Sequence, residues 1–163
     1  MKIIVSVDSN WAIGSHGGLL YKIPKDLANF RELTWGNPII YGRNTLATFP
    51  KGRPLPSREN IILSTQKDLV VPGAVVVSSI AELKKSSVWD FPNTFVVGGA
   101  SVYKQLLPYC DEAIVTMIEG VNADADAFFP SLYEDTDWFL VKSEKEGDYR
   151  GLKYHVNTFV RCC

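Results

Sequence analysis

The chain has 163 residues, 46% of them hydrophobic, and its 17 basic and 18 acidic side chains leave a formal net charge of −1. That length suits one compact domain with a sizeable core and is short for two. The balanced charge supplies no summed field for a phosphate backbone or an anionic membrane, so neither nucleic acid nor lipid is expected as a partner.

Residues 3–7 are mostly apolar in succession and read as a strand covered on both faces. A charge at Asp8 ends the run too soon for a secretory core or a membrane span, which points to a cytoplasmic protein. Residues 8–23 then form a long irregular connection with Gly14, Gly17 and Gly18, the composition of a lid that changes shape. Behind Pro24, which suits a first helical turn, Leu27, Phe30, Leu33 and Thr34 fall at helical spacing and predict a helix over 25–35. Strands are predicted at 38–41, 60–63, 74–77, 94–97 and 112–118, with helical intervals at 43–48, 80–85 and 101–107. A second long connection, 48–59, carries Pro50, Gly52, Pro54 and Pro56. Two final strand-like runs, 138–144 and 152–160, flank the polar segment 146–151 and predict an antiparallel hairpin. The pattern is that of a single α/β domain, mainly parallel in its first two thirds, with no repeat or linker dividing it. With no coiled-coil pattern, a monomer is the simplest expectation.

Asp26 lies in the first turn of the predicted helix, where the helix dipole by itself favours a carboxylate. The alternative is that it faces a pocket built by Leu27 and Phe30 and pairs both oxygens with a planar ligand. Gly98-Gly99 follows one strand and precedes a helix, where backbone amides can approach a diphosphate, although a glycine pair is also an ordinary turn signal. Gly42-Arg43-Asn44-Thr45 has the same placement, with Arg43 either a forked phosphate donor or a solvated charge. Arg58, closing the proline loop, is open between a surface charge and a carboxylate clamp. His16 and His155 are the only histidines, and zinc-hydrolase and serine-hydrolase motifs are absent, so no metal is expected. Asp124 and Asp126 read mainly as a solvated turn. Cys110, Cys162 and Cys163 suggest neither a disulfide framework nor a zinc site, and the two tail thiols are open to oxidation between molecules.

In order and spacing, Ala12-Ile13-Gly14, Ile23-Pro24-Lys25-Asp26-Leu27, Gly42-Arg43-Asn44-Thr45, the run 52–64 (GRPLPSRENIILS), Val97-Gly98-Gly99 and Phe129-Pro130 together resemble the dihydrofolate reductase family of bacterial type over nearly the whole chain. The resemblance implies an eight-stranded, mainly parallel sheet flanked by helices. It also implies NADPH-dependent reduction of dihydrofolate to tetrahydrofolate for one-carbon metabolism, with antifolates as inhibitors. It assigns Asp26, Leu27 and Phe30 to the pterin ring, Ile4, Val5, Phe49, Leu55 and Thr116 to the same pocket, and Arg58 to the α-carboxylate of the glutamate tail. NADPH is implied along Ser6, Ile13, Gly14, Gly42, Arg43, Asn44, Thr45, Ser64, Thr65, Val97, Gly98, Gly99, Ala100, Ser101, Val102 and Tyr103. Arg43, Ser64 and Thr65 are the candidates for its 2′-phosphate, and Gly98-Gly99 is the place of a cis peptide. Leu19 and Tyr21 belong to the mobile loop, Leu19 near the nicotinamide and Tyr21 ordering a water.

Departures from the family pattern are also present. Tyr21 stands for a usual tryptophan and Leu20 for a usual proline, Pro50-Lys51 lengthens the second loop, and Val5 and Ser6 replace smaller or apolar residues on the pocket floor. Ser101 and Ala127 also stand where other side chains are frequent. A pyrimidine reductase of flavin biosynthesis and a catalytically silent binding module are the alternatives. Asp26 and Arg58 speak against the first, and the intact Asp26 and Gly98-Gly99 against the second.

Overall fold

A computed structural model describes residues 1–162, so the expectation for Cys163 lies outside the described residues. In chain order the strands and helices are β1 (Lys2–Val7), β2 (Ala12–Ser15), β3 (Gly18–Leu19), α1 (Pro24–Thr34), β4 (Ile39–Gly42), α2 (Arg43–Leu46), β5 (Asn60–Leu63) and β6 (Ala74–Val77). They continue with α3 (Ile80–Lys84), β7 (Phe95–Gly98), α4 (Ala100–Leu106), β8 (Glu112–Ile118), β9 (Ala127–Phe128), β10 (Trp138–Tyr149) and β11 (Leu152–Arg161). Eight strands form one sheet in the order β10-β11-β8-β1-β7-β4-β5-β6. Pairings from β8 through β6 are parallel, and β11 returns antiparallel beside β8 with β10 on its outer side. The mixed sheet and the closing hairpin agree with the sequence reading.

Alternation along β1 distributes its side chains to two core layers, as period-2 strand geometry requires. Ile3, Val5 and Val7 join a layer with Ile40, Ile61, Val96, Leu106 and Phe159. Ile4 joins Ile39, Tyr41, Ile62 and Phe95 in the other, against Phe30 and Leu33 of α1. The chain runs outward from β1 to β4, β5 and β6, returns to β7, and crosses to β8 on the far side of β1. Ligands of such sheets bind where the winding reverses, at the carboxyl ends of the strands.

Two regions differ from the sequence reading. The connection 8–23 contains β2 and β3, which pair with β9 in a small antiparallel sheet. A Cβ on Gly14 would meet the Gly18 carbonyl at 3.0 Å, so the glycines permit close backbone approach as well as mobility. Strand β10 also runs on through Tyr149, into the segment 146–151 expected as a polar turn, with irregularities between Leu140 and Lys142 and between Glu144 and Gly147. Its polar stretch is compatible with a strand because β10 is an edge, where charges and bulges discourage further pairing. No helix among the described residues is long and apolar enough to cross a membrane.

Cys110 is buried, its Sγ bonding the Leu106 carbonyl at 3.3 Å, and burial pushes the thiol up to about 12 from an ordinary 9.0. Because the folded thiol stays protonated above the unfolded value, its stabilising contribution is complete below pH 9 and is lost as pH rises through about 12. A thiol reagent at pH 8 is expected to leave Cys110 unlabelled until denaturant is added, which peptide mapping would read directly.

Candidate active site

A cleft of about 1400 Å³ crosses the carboxyl ends of the central strands, and every site residue singled out in the sequence lines it. One wall is α1. Pro24 opens this helix, which has no side-chain cap and has Asp26 in its first turn. Thr34 is its only buried residue, while Leu27 is 45% exposed, so much of the apolar face is turned to the cleft rather than to the core.

The Asp26 carboxylate is held from both sides. The Ser6 hydroxyl donates to Oδ2 at 2.5 Å and the Thr116 hydroxyl to Oδ1 at 2.5 Å. Ser6 and Thr116 are register partners across the parallel pair β1–β8, so the two donors stand side by side. A helix-dipole role alone would not bring two hydroxyls onto one carboxylate. Asp26 thus lines the cleft beside Leu27 and Phe30, and Ser6, expected beside the cofactor, has a direct partner in Asp26.

At one mouth, Arg58 donates through Nε to the Pro56 carbonyl at 2.8 Å and through a terminal nitrogen to Thr34 Oγ1 at 3.3 Å. Its guanidinium lies 5.4 Å from the Trp35 ring centroid, and that of Arg31 lies 4.9 Å from the same ring. Burial, and then the like charge of Arg31, lower Arg58 from its ordinary range. The sequence reading missed Arg31, although its place one turn after Leu27 on the same helix was a usable signal.

Asn60 was also missed. Its amide nitrogen donates to the Leu55 and Arg58 carbonyls at 2.8 and 2.9 Å, and its oxygen accepts from the Leu55 amide at 3.0 Å and the Tyr41 hydroxyl at 2.9 Å. This buried amide fixes the loop that carries Leu55 and Arg58. Replacing Asn60 by alanine is expected to cost about 3 kcal/mol in a denaturant titration, because several buried backbone groups lose their partner together.

The other half of the cleft is built on glycine. The Gly98-Gly99 bond is cis, with Gly98 at φ +131°, between β7 and α4. A Cβ there would lie 3.2 Å from Thr45 Oγ1 and 3.5 Å from the Tyr103 ring, and one on Gly42 would lie 3.1 Å from Val102. Backbone can approach a ligand in this groove where a side chain would fill it. Arg43, Asn44, Thr45, Ser64, Thr65, Gln66, Ala100 and Ser101 surround it. Tyr103 is buried and donates to the Ile4 carbonyl at 2.8 Å, tying α4 to β1.

Ile13, Gly14, Leu19 and Tyr21 close the remaining side. Ser15 Oγ donates to the Asp124 carbonyl at 2.8 Å and the His16 amide to Asp126 Oδ2 at 3.0 Å. The 122–126 stretch, read mainly as a solvated turn, thus anchors the glycine loop. Asp8 is fully buried, its oxygens accepting the Asn10, Ala12 and Asn122 amides at 2.8, 3.0 and 3.1 Å. Tyr21 packs against Ile23, Ile118 and Tyr154, and burial followed by the charge of Asp8 raises its phenol. Among the described residues no group of three or more His, Cys, Asp or Glu side chains is placed to hold a metal.

The model of the family described as dihydrofolate reductase matches residues 1–161. The chain belongs to the dihydrofolate reductase family. Among its relatives is the dihydrofolate reductase of Mycobacterium tuberculosis, 39% identical over 152 residues, covering 91% of this chain and 90% of that protein. That of Bacillus subtilis is 36% identical over 146 residues, with 89% and 83% covered. A solved dihydrofolate reductase from Enterococcus faecalis, complexed with NADP(H) and RAB-propyl, superposes with a TM-score of 0.84 at 30% identity, covering 98% of this chain and 95% of that one. Dihydrofolate reductase membership makes the chain an enzyme of the NADPH-dependent oxidoreductases. The scattered motifs that suggested the family therefore belong to a match that extends over almost all of the sequence, and the flavin-pathway reductase is set aside.

Proposed function

We propose that the chain reduces 7,8-dihydrofolate to 5,6,7,8-tetrahydrofolate with NADPH, working in the cytoplasm as a monomer and supplying one-carbon metabolism. The observation that carries the reading is the carboxylate of Asp26, held between two hydroxyls in a cleft whose other half is a glycine groove.

Asp26 accepts hydrogen bonds from the 2-amino group and N3 of the pterin, with Leu27, Phe30, Ile4, Val5, Phe49 and Leu55 enclosing the ring. Two parallel ionic hydrogen bonds set its plane as well as its position. Arg58 takes the α-carboxylate of the glutamate tail, with its fork already oriented by Thr34 and Pro56. The groove suits a dinucleotide because a Cβ at Gly98 or Gly42 would occupy it. Ile13, Gly14, Gly42 and residues 97–103 would bind its diphosphate and nicotinamide halves, and Arg43, Ser64 and Thr65 its 2′-phosphate. When bound, NADPH supplies the hydride that reduces pterin C6.

Asp26 lies at the edge of the ring opposite N5, so a water delivers the proton to N5 while Asp26 tunes the ring's orientation and electronics. Leu19 and Tyr21 exclude bulk solvent when their loop closes, with the Tyr21 hydroxyl available to order that water. Fixing both rings in contact turns a bimolecular encounter into a set geometry. Absorbance at the NADPH band, followed with dihydrofolate as substrate, tests the proposal. Sustained oxidation is expected, whereas tight NADPH binding without turnover would overturn it.

A further inference from the structure

We infer that Ser6 is a positioning residue for Asp26, one of a pair of hydroxyls that fix the plane of its carboxylate and so select ligands presenting two coplanar donors. The inference rests on the pterin reading of the cleft. Three observations lead to it.

First, Ser6 donates to Oδ2 and Thr116 to Oδ1, each at 2.5 Å, the length of a charge-assisted O–H···O⁻ bond. Second, the donors are register partners on adjacent parallel strands, so their separation is set by the sheet rather than by loose side-chain geometry. Third, helix α1 fixes only the backbone of Asp26, and the terminal torsion of an aspartate is broad and roughly two-fold. A single hydroxyl would leave the carboxylate free to rotate about that contact. Two, one on each oxygen, define a plane.

An ionised carboxylate offers about four lone-pair sites, and the two hydroxyls take one on each oxygen. One site per oxygen is left for the cleft, which matches an amino group and a ring N–H side by side. With alanine at position 6, Thr116 would hold Oδ1 alone and Oδ2 would lose its sheet-side donor. The cleft would keep its shape and its glycine groove but lose the preset orientation of its only acceptor pair on α1.

The test compares Ser6→Ala and Ser6→Thr with the parent enzyme in steady-state kinetics, in titrations with 2,4-diaminopyrimidine and with NADPH, and in thermal unfolding. Ser6→Ala is expected to lower kcat/KM for dihydrofolate about tenfold and weaken 2,4-diaminopyrimidine about tenfold, the worth of one charge-assisted hydrogen bond. NADPH affinity and Tm are expected to stay at the parent values, and Ser6→Thr, which keeps the hydroxyl, to recover most of both losses. Parent-like kinetics and diaminopyrimidine affinity in Ser6→Ala would overturn the inference. So would an equal loss of NADPH affinity, which would assign Ser6 to the cofactor. Absence of turnover in the parent enzyme would instead defeat the proposed function, while the diaminopyrimidine titration would still report whether Ser6 orients Asp26.

Discussion

Asp26→Asn is expected to lower kcat/KM for dihydrofolate about 10³-fold, since two ionic hydrogen bonds to the ligand are exchanged for one neutral contact and one donor facing a donor. The amide cannot satisfy all its neighbours at once. Ser6 and Thr116 each present a hydroxyl hydrogen to this side chain, and the pterin edge presents two more donors. Asparagine has one acceptor oxygen, so its amino group must point at a hydroxyl that turns round to accept it, or at the ligand. NADPH affinity should be unchanged, because the groove around Gly98 is built from other elements. Steady-state rates with dihydrofolate, beside an NADPH fluorescence titration, separate the two halves. Parent-like turnover in the variant would remove Asp26 from the centre of the mechanism.

Gly98→Ala is the second large effect, expected to cost about 2–3 kcal/mol of stability and to weaken NADPH at least tenfold. At φ +131° an alanine is strained whatever the space around it, and the space is small, with Thr45 Oγ1 at 3.2 Å and the Tyr103 ring at 3.5 Å from the new atom. Tyr103 cannot yield freely because its hydroxyl is bound to the Ile4 carbonyl, so the strain reaches β1 beneath the pterin pocket. Denaturant midpoints and an NADPH titration measure the two consequences. A variant with parent stability and parent NADPH affinity would show that the glycine groove is not needed for the cofactor.

Much of the fold was legible because its elements carry local signals. Strands 60–63, 74–77 and 112–118 match β5, β6 and β8, since short apolar runs bounded by turn residues have few other uses in a chain of this size. The 25–35 helix is displaced by one residue from α1, as Pro24 occupies the first helical position. The small sheet of β2, β3 and β9 was not legible, because two- and four-residue strands have too little periodicity to distinguish them from a loop. Polar residues hid the end of β10 for a different reason: an edge strand facing solvent needs no apolar alternation there.

The sequence by itself determined the α/β class, the places of the long connections and the motifs around Asp26, Arg43, Arg58 and Gly98, because these follow from turn chemistry, proline and glycine geometry and periodicity over a few residues. Tertiary structure alone decided what those residues face. The Thr116 hydroxyl reaches Asp26 across 90 residues of chain, through the strand register that sets Ser6 beside Thr116. Likewise, the Tyr41 hydroxyl reaches the Asn60 amide oxygen only because β5 pairs with β4. Such contacts depend on which strands become neighbours, and that is settled by burial of the whole core rather than by any local stretch of sequence.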